Sequence, residues 1–486
     1  MRILMLDIDT LRPDHMSCYG YPRRTTPRMD AIAAQGTRFD QYYCSDAPCL
    51  PSRASLISGR FGIHHGAVGH GGTAADRRLS GGPRDFRDWQ DLENFHHLFR
   101  KAGLYTASIS TFAERHSSHW FTAGFNEVHN VGGGGMESGE EVLPVALDWL
   151  DREKDREDWF LHVHFWDPHT PYRAPEAFGN PFADEPLPDW LTDPAVLERH
   201  MAMTGPHTAL DVSMYDDKES PQYPRQPGKV IDMAGMRRII DGYDCGIRYA
   251  DQLIGQIFDR LADQGILDDV AVIITADHGE NFGELGIYAE HATADPATCR
   301  IPLIIRWPGL PGGQTDQALH YNVDLVPTVA DLLNLSHAAS WDGRSFASTL
   351  QDGRADGRSH LVLSQMAHVC QRSVLFGDWL YMRTWHDGYH LFPSEMLYHL
   401  SDDPHEQTDV ADRYPERCAE GARLLENWHA DMMENAGSTV DPLWVVLEEG
   451  GPYHARGHLE DYLVRLEATG RHEGAAALRE RWLKNG

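Results

Sequence analysis

Residues 3–6 form an unbroken apolar run that ends on Asp7, Ile8 and Asp9. Such a run predicts a strand covered on both faces of a parallel sheet, and the two-residue period puts Asp7 and Asp9 on one side of it. Thr26-Pro27 opens a short helix that stops near Gly36, and 38–44 reads as a strand. Leu92, Phe95 and Phe99 share a helical face ending at Gly103; a strand over 104–110, a helix over 142–150 and a strand over 159–166 follow. From 171 to about 228 the periodicity dissolves into Pro, Asp and Glu. This is long for a plain loop and reads as an insertion covering a site, with a mobile surface excursion as the alternative. Apolar positions from Ile240 to Leu261 then recur at helical spacing. A strand over 270–276 ends in Asp277-His278-Gly279-Glu280, and a strand over 301–306 and a helix over 323–333 complete the alternation.

This order predicts an α/β fold: a large, mostly parallel sheet with helices on both faces. After about 357 the texture changes. Segments 369–382 and 397–400 suggest antiparallel strands, 415–432 a helix packed on them, and 458–483 two short helical patterns around Leu459, Tyr462 and Leu466, then Leu478, Trp482 and Leu483. The expected division is an α/β domain over 1–357, with the insertion at 171–228 near its site, and a smaller antiparallel α+β subdomain with a helical extension over 358–486.

A chain of 486 residues with 41% hydrophobic content and 13 Trp is long enough for both units and is not disordered in composition. A formal charge of −30 argues against nucleic acid or an anionic membrane as partner. Charge is screened within about 10 Å at 0.1 M salt, so a local basic or metal centre can still receive an anion. No apolar run approaches a membrane span. The first strand begins directly after Met1-Arg2, and seven scattered cysteines read as reduced thiols, so a cytoplasmic location is expected.

Two sets of residues carry chemistry. From Ala47 to Arg60 the sequence reads APCLPSRASLISGR. Pro51 suits a first helical turn and Gly59 a helix stop, so Cys49 would sit at a helix N-terminus, where unpaired N–H groups favour an anion. Arg53 lies one turn on, placed to stabilise negative charge on a nucleophile. The plain alternative is a helix start that happens to carry a thiol. Asp9 and the Asp277-His278 pair each fall at the carboxyl end of a predicted strand, the edge where open α/β sheets bind ligands. Carboxylates with an imidazole suit a hard divalent cation, although a lone Asp-His pair is more often structural.

The C-x-P-x-R core of Cys49, Pro51 and Arg53, extended by Ser52, Gly59 and Arg60, resembles the signature of type I sulfatases of the alkaline phosphatase superfamily. Further segments are similar in family order: 6–14, Cys18-Tyr-Gly20, Asp167-Pro-His-Thr-Pro-Tyr172, Thr275 to Glu280, Arg300 to Arg306, and Leu397 to Pro404. The resemblance implies that a maturation enzyme oxidises Cys49 to formylglycine. It implies metal ligation by Asp9, Asp277 and His278, with Ca²⁺ expected ahead of Mg²⁺ or Mn²⁺. Arg53 would stabilise the nucleophile, His169 would act as base, and His291 would face the leaving group. Two departures stand out. Thr10 follows Asp9 where paired acids are usual; either Asp7 substitutes or the metal site is leaner, as in related phosphonate and phosphodiester hydrolases. Ser110 to Ser118 replaces a Gly-Lys-Trp-His segment, making Arg115 and His116 the candidate substrate contacts. The implied activity is hydrolysis of a small-molecule or saccharide sulfate ester, a sugar preferred and an aryl sulfate open. A phosphonate monoester or phosphodiester hydrolase is the alternative, a non-catalytic binding protein a more distant one, and homo-oligomerisation is left open.

Overall fold

In a computed structural model, which describes residues 1–78 and 93–483, the N-terminal apolar run is the strand Arg2–Ile8 at the middle of an eight-stranded sheet. Across the sheet the strands are Gln314–Asp316, Thr37–Phe39, Leu303–Arg306, Val270–Thr275, Arg2–Ile8, Trp159–Phe165, Tyr105–Ile109 and Glu127–His129. Pairing is parallel except along Leu303–Arg306, which runs antiparallel to both neighbours. The expected α/β class is therefore the observed one. Trp159–Phe165 and Val270–Thr275 are buried at every residue, as strands covered on both faces must be. Two sets of helices cover the sheet. Pro27–Ala33, Gly139–Arg152 and Met233–Asp263 pack together; Cys49–Ser58, Phe95–Lys101 and Leu325–Leu332 form the other set. Phe95 and Phe99 thus lie on a helix as expected, while Leu92 falls outside the described residues.

The strand expected over 38–44 is divided. Thr37–Phe39 stays in the large sheet, whereas Tyr42–Tyr43 pairs with His320–Tyr321 in a separate two-stranded ribbon. Asp40 N still bonds Asp316 O at 2.7 Å, and the chain then turns off the sheet toward Cys49. The range 369–382 resolves into the hairpin Cys370–Phe376 and Trp379–His386, closed at Gly377, whose φ of 54° suits glycine. With His360–Gln365 and Glu395–His399 these strands make a second, antiparallel sheet. Its last strand is Asp46–Ala47, drawn from the first part of the chain and parallel to His360–Gln365. The smaller sheet therefore reaches within two residues of Cys49.

The insertion is packed down. Arg225 donates to the carbonyls of Ala174, Pro175 and Gly179. The fully buried Asp211 accepts from Arg465 at 2.8 Å and Arg471 at 2.6 Å, and the Tyr462 hydroxyl donates to Gly205 O at 2.6 Å. The two C-terminal helices, Leu459–Ala468 and His472–Trp482, thus tie the insertion to the C-terminal part of the chain, packing on each other and on Tyr389 and Leu391 as well as on Tyr215. No helix among the described residues is long and apolar enough to cross a membrane.

Arg372 and Asp441 form the strongest ion pair of the smaller unit, two hydrogen bonds of 2.6 and 2.8 Å between side chains that are each 3% exposed. Asp441 also caps the helix Pro442–Glu448 through Leu443 N at 3.0 Å. Burial pushes its carboxyl up, but Arg372 and then His429 outweigh this and hold it well below the usual range. A depressed folded value means that the stabilisation is present above about pH 3.9 and fades as the pH falls below it. Asp441→Asn, which leaves Arg372 buried without its charge, should cost about 3 kcal/mol at neutral pH. In urea unfolding, the gap from wild type should close in acid.

Candidate active site

The site lies where the carboxyl ends of the central strands meet the helix Cys49–Ser58. Asp9 follows the strand Arg2–Ile8, and its N–H continues the ladder to Phe165 O at 2.9 Å. Asp277 and His278 follow Val270–Thr275. The helix is buried along its whole length and stops at Gly59, whose φ is 66° and where a Cβ would meet Trp341 at 2.9 Å. Ser52 ties helix to strand end: its hydroxyl donates to Asp277 O at 2.6 Å, while Asn322 Nδ2 donates to Ser52 O at 3.2 Å.

Arg53 is the electrostatic centre. Nη1 pairs with Asp277, Nη2 lies 3.2 Å from Asp9 Oδ2, and Nε donates to Asp7 Oδ2 at 3.2 Å. Nη2 also meets His164 Nε2 at 2.8 Å, and the same nitrogen is 3.3 Å from Asp9 Oδ2. Burial alone would raise the Asp9 carboxyl; Arg53, then His169, hold it well below its usual range. Asp7 is directed to Arg53 and to His162 Nε2 at 3.4 Å and lies outside the metal-type cluster, so it braces the arginine.

Cys49 Sγ is 3.0 Å from His278 Nε2. One donor atom each of Asp9, Cys49, Asp277 and His278 lie within 4.8 Å of one another. This set fits a divalent cation on two grounds. Asp9 Oδ1 is a buried carboxylate oxygen with no hydrogen-bond partner, which is costly without a cation. Nδ1 of His278 is 2.8 Å from Gly279 O, and donation there turns the Nε2 lone pair toward the cluster, the usual orientation of a ligating imidazole. Burial, then the charges of Asp9 and Asp277, push the Cys49 thiol well above its ordinary value.

His169 and His291 stand over this cluster, each offering a nitrogen within the same 4.8 Å limit of Cys49 and His278. His169 Nδ1 donates to the Thr170 carbonyl, leaving Nε2 as an acceptor 3.9 Å from Asp9 Oδ1. His291 Nε2 lies 2.8 Å from Glu290 Oε1, and its Nδ1 is buried without a partner. Arg115 and His116 line the same cavity, of about 520 Å³, Arg115 with its guanidinium over the Trp166 ring at 5.1 Å. All nine residues singled out in the sequence thus converge on one site.

Sequence reasoning missed His164, Glu290, His207, His368 and His454. For His164 a signal existed: His162 and His164 sit two apart in an otherwise apolar strand, hence on one face. The others come together from distant segments and carry no local pattern.

The sulfatase family model matches residues 3–335. The chain is 27% identical over 443 residues to a choline-sulfatase of Rhizobium meliloti, covering 79% of this chain and 77% of that one. Among solved structures it is similar, at TM-score 0.67 and 20% identity over 89% of this chain and 98% of the other, to a protein in complex with its substrate D-glucosamine-2-N,6-O-disulfate. It is also similar to a phosphonate monoester hydrolase of Agrobacterium radiobacter, at TM-score 0.65 and 19% identity over 89% and 96% of the two chains. With a match over most of its length and the signature cysteine at the strand ends, the chain belongs to the sulfatase family and is a sulfuric ester hydrolase.

Proposed function

We propose that this sulfatase hydrolyses a sulfate ester of a sugar-sized alcohol, with Cys49 matured to formylglycine and one divalent cation, Ca²⁺ ahead of Mg²⁺ or Mn²⁺, held by Asp9, Asp277 and His278. The observation that carries the reading is the 3.0 Å approach of Cys49 to His278 in a cluster where Asp9 Oδ1 has no protein partner. The carboxylates favour a hard cation. Such an ion would polarise a sulfate oxygen as a Lewis acid. The aldehyde, in its hydrated form, would supply the nucleophilic hydroxyl that a buried thiol cannot. Seven unpaired cysteines support a reducing, cytoplasmic setting, with a maturation enzyme as the necessary partner.

Each remaining side chain has a defined task. Arg53 balances the carboxylates and presents its charge to the nucleophile. His169, with Nδ1 committed to Thr170 O, keeps Nε2 as the proton acceptor. Glu290 orients His291 through Nε2, so Nδ1 is the atom that can pass a proton to the departing oxygen. Arg115 and His116 would contact the substrate. The cavity volume suits a monosaccharide, Tyr453 offers a half-exposed ring at its wall, and the substrate of the structural neighbour is a sulfated glucosamine.

The primary test is turnover of paired sulfate and phosphonate esters of one alcohol. The sulfate should be faster; preference for the phosphorus ester would move the chain to the phosphonate monoester or phosphodiester hydrolases. Co-expression with an active maturase should convert Cys49, as read by the mass of its peptide, and a peptide carrying only intact thiol would overturn the maturation. Finally, His291→Ala should slow sugar sulfates by about 10²–10⁴-fold and a nitrophenyl sulfate far less, because that leaving group needs little protonation. Equal losses on both substrates, read by rapid-quench kinetics, would remove His291 from the acid role.

A further inference from the structure

Behind His291 lies a second set of metal-type donors, of which the catalytic reading uses only Glu290, as the partner of His291. His207 comes from the insertion, Glu290 from the strand Tyr288–Glu290, and His368 from the turn between His360–Gln365 and Cys370–Phe376. Their exposures are 4%, 6% and 5%, and one donor atom of each lies within 4.8 Å of the others. His207 Nε2 is 3.0 Å from Glu290 Oε2, and His368 Nε2 is 3.7 Å from Glu290 Oε1.

Hydrogen bonding does not account for this arrangement. His207 Nδ1 is 3.1 Å from Val212 O, a pure acceptor, so Nδ1 carries the proton. Nε2 then faces Glu290 Oε2 at 3.0 Å, yet it makes no hydrogen bond. His368 Nε2 is likewise buried without a partner. Ring nitrogens buried without partners around one carboxylate are costly unless a cation lies between them. An imidazole oriented by a carbonyl at its far nitrogen is also the usual posture of a metal ligand.

We propose that His207, Glu290 and His368 hold a second divalent cation, of the zinc class, separate from the hard-cation site at Asp9, Asp277 and His278. Two imidazoles and one carboxylate are a common donor set for Zn²⁺, with a further position open. The ion joins the insertion and the C-terminal unit to the strand that carries His291. It also fixes Glu290, whose Oε1 meets His291 Nε2 at 2.8 Å. His70 and His454 come within the same reach of His368, but they already meet each other at 3.0 Å, which leaves His207 Nε2 and His368 Nε2 beside Glu290 as the ring nitrogens without a hydrogen-bond partner.

The test uses chelator-treated whole chain, saturated with Ca²⁺ and titrated with Co²⁺. A single Co²⁺ per chain should bind with the visible absorption of a four-coordinate nitrogen and oxygen site, and Zn²⁺ should displace it. The band should persist in Asp9→Asn and vanish in His207→Gln and Glu290→Gln. Wild-type protein that gives no such band, or a band abolished by Asp9→Asn, would overturn the proposal. So would a band unchanged in His207→Gln but lost in His70→Gln, which would place the ion on the all-imidazole set. The wild-type titration decides even if a variant fails to fold.

Discussion

The Arg53 guanidinium is the interaction on which the site depends. Three carboxylates, Asp7, Asp9 and Asp277, are brought together from two strands with almost no exposure to water. Desolvated charges of one sign repel strongly, and each alone would be pushed toward its neutral form. One delocalised cation with donors in a planar fork can meet all three at once, which a lysine could not. Its position on the helix one turn beyond Cys49 ties that cysteine to the carboxylates through the same contacts. The carboxylates and the cysteine are therefore set by one residue, and losing it would leave buried charge uncompensated.

This dependence explains which parts of the molecule were legible in the sequence. The central strands announce themselves by apolar runs; Asp277 stands out as the first acid after its run, and Asp9 as the acid at the carboxyl end of the other, two residues beyond Asp7. The helix from Cys49 to Gly59 is written locally, in Pro51 and in a glycine held at positive φ. His164 was legible in principle, by its two-residue spacing from His162, but its importance follows from Arg53 and Asp9, which no local pattern joins to it. The pairing of Asp46–Ala47 with the small sheet was not legible at all. A two-residue strand has no period, and its partner lies more than three hundred positions away. The terminal helices show the same limit: their apolar faces were readable, whereas the insertion that covers them was not.

The division of labour follows the same geometry. The large sheet supplies the reactive cluster through its strand ends. The cavity wall above it is drawn from elsewhere: His70 from the segment after the Cys49 helix, Met214 and Gln226 from the insertion, and His368, Tyr453 and His454 from the C-terminal part. Segments remote in sequence can vary without disturbing the strand ends, so chemistry and selectivity are separable in this architecture. The strand Asp46–Ala47 couples them, because the small sheet that carries His368 also ends beside Cys49.

A chain of net charge −30 must still admit an anion. His70, His116 and His454 of the cavity wall do not provide the positive charge. Burial, then Arg115, holds His116 down at about 3; burial lowers His454 to about 4; and burial with His116 beside it keeps His70 well below the ordinary imidazole range. Near neutrality these rings are neutral and can offer hydrogen bonds and flat apolar faces, but little electrostatic pull. The fixed charge comes from Arg53, already engaged by three carboxylates, and from Arg115, held over Trp166. An anionic sulfate is thus drawn in by a short-range balance in which a bound cation would supply the surplus.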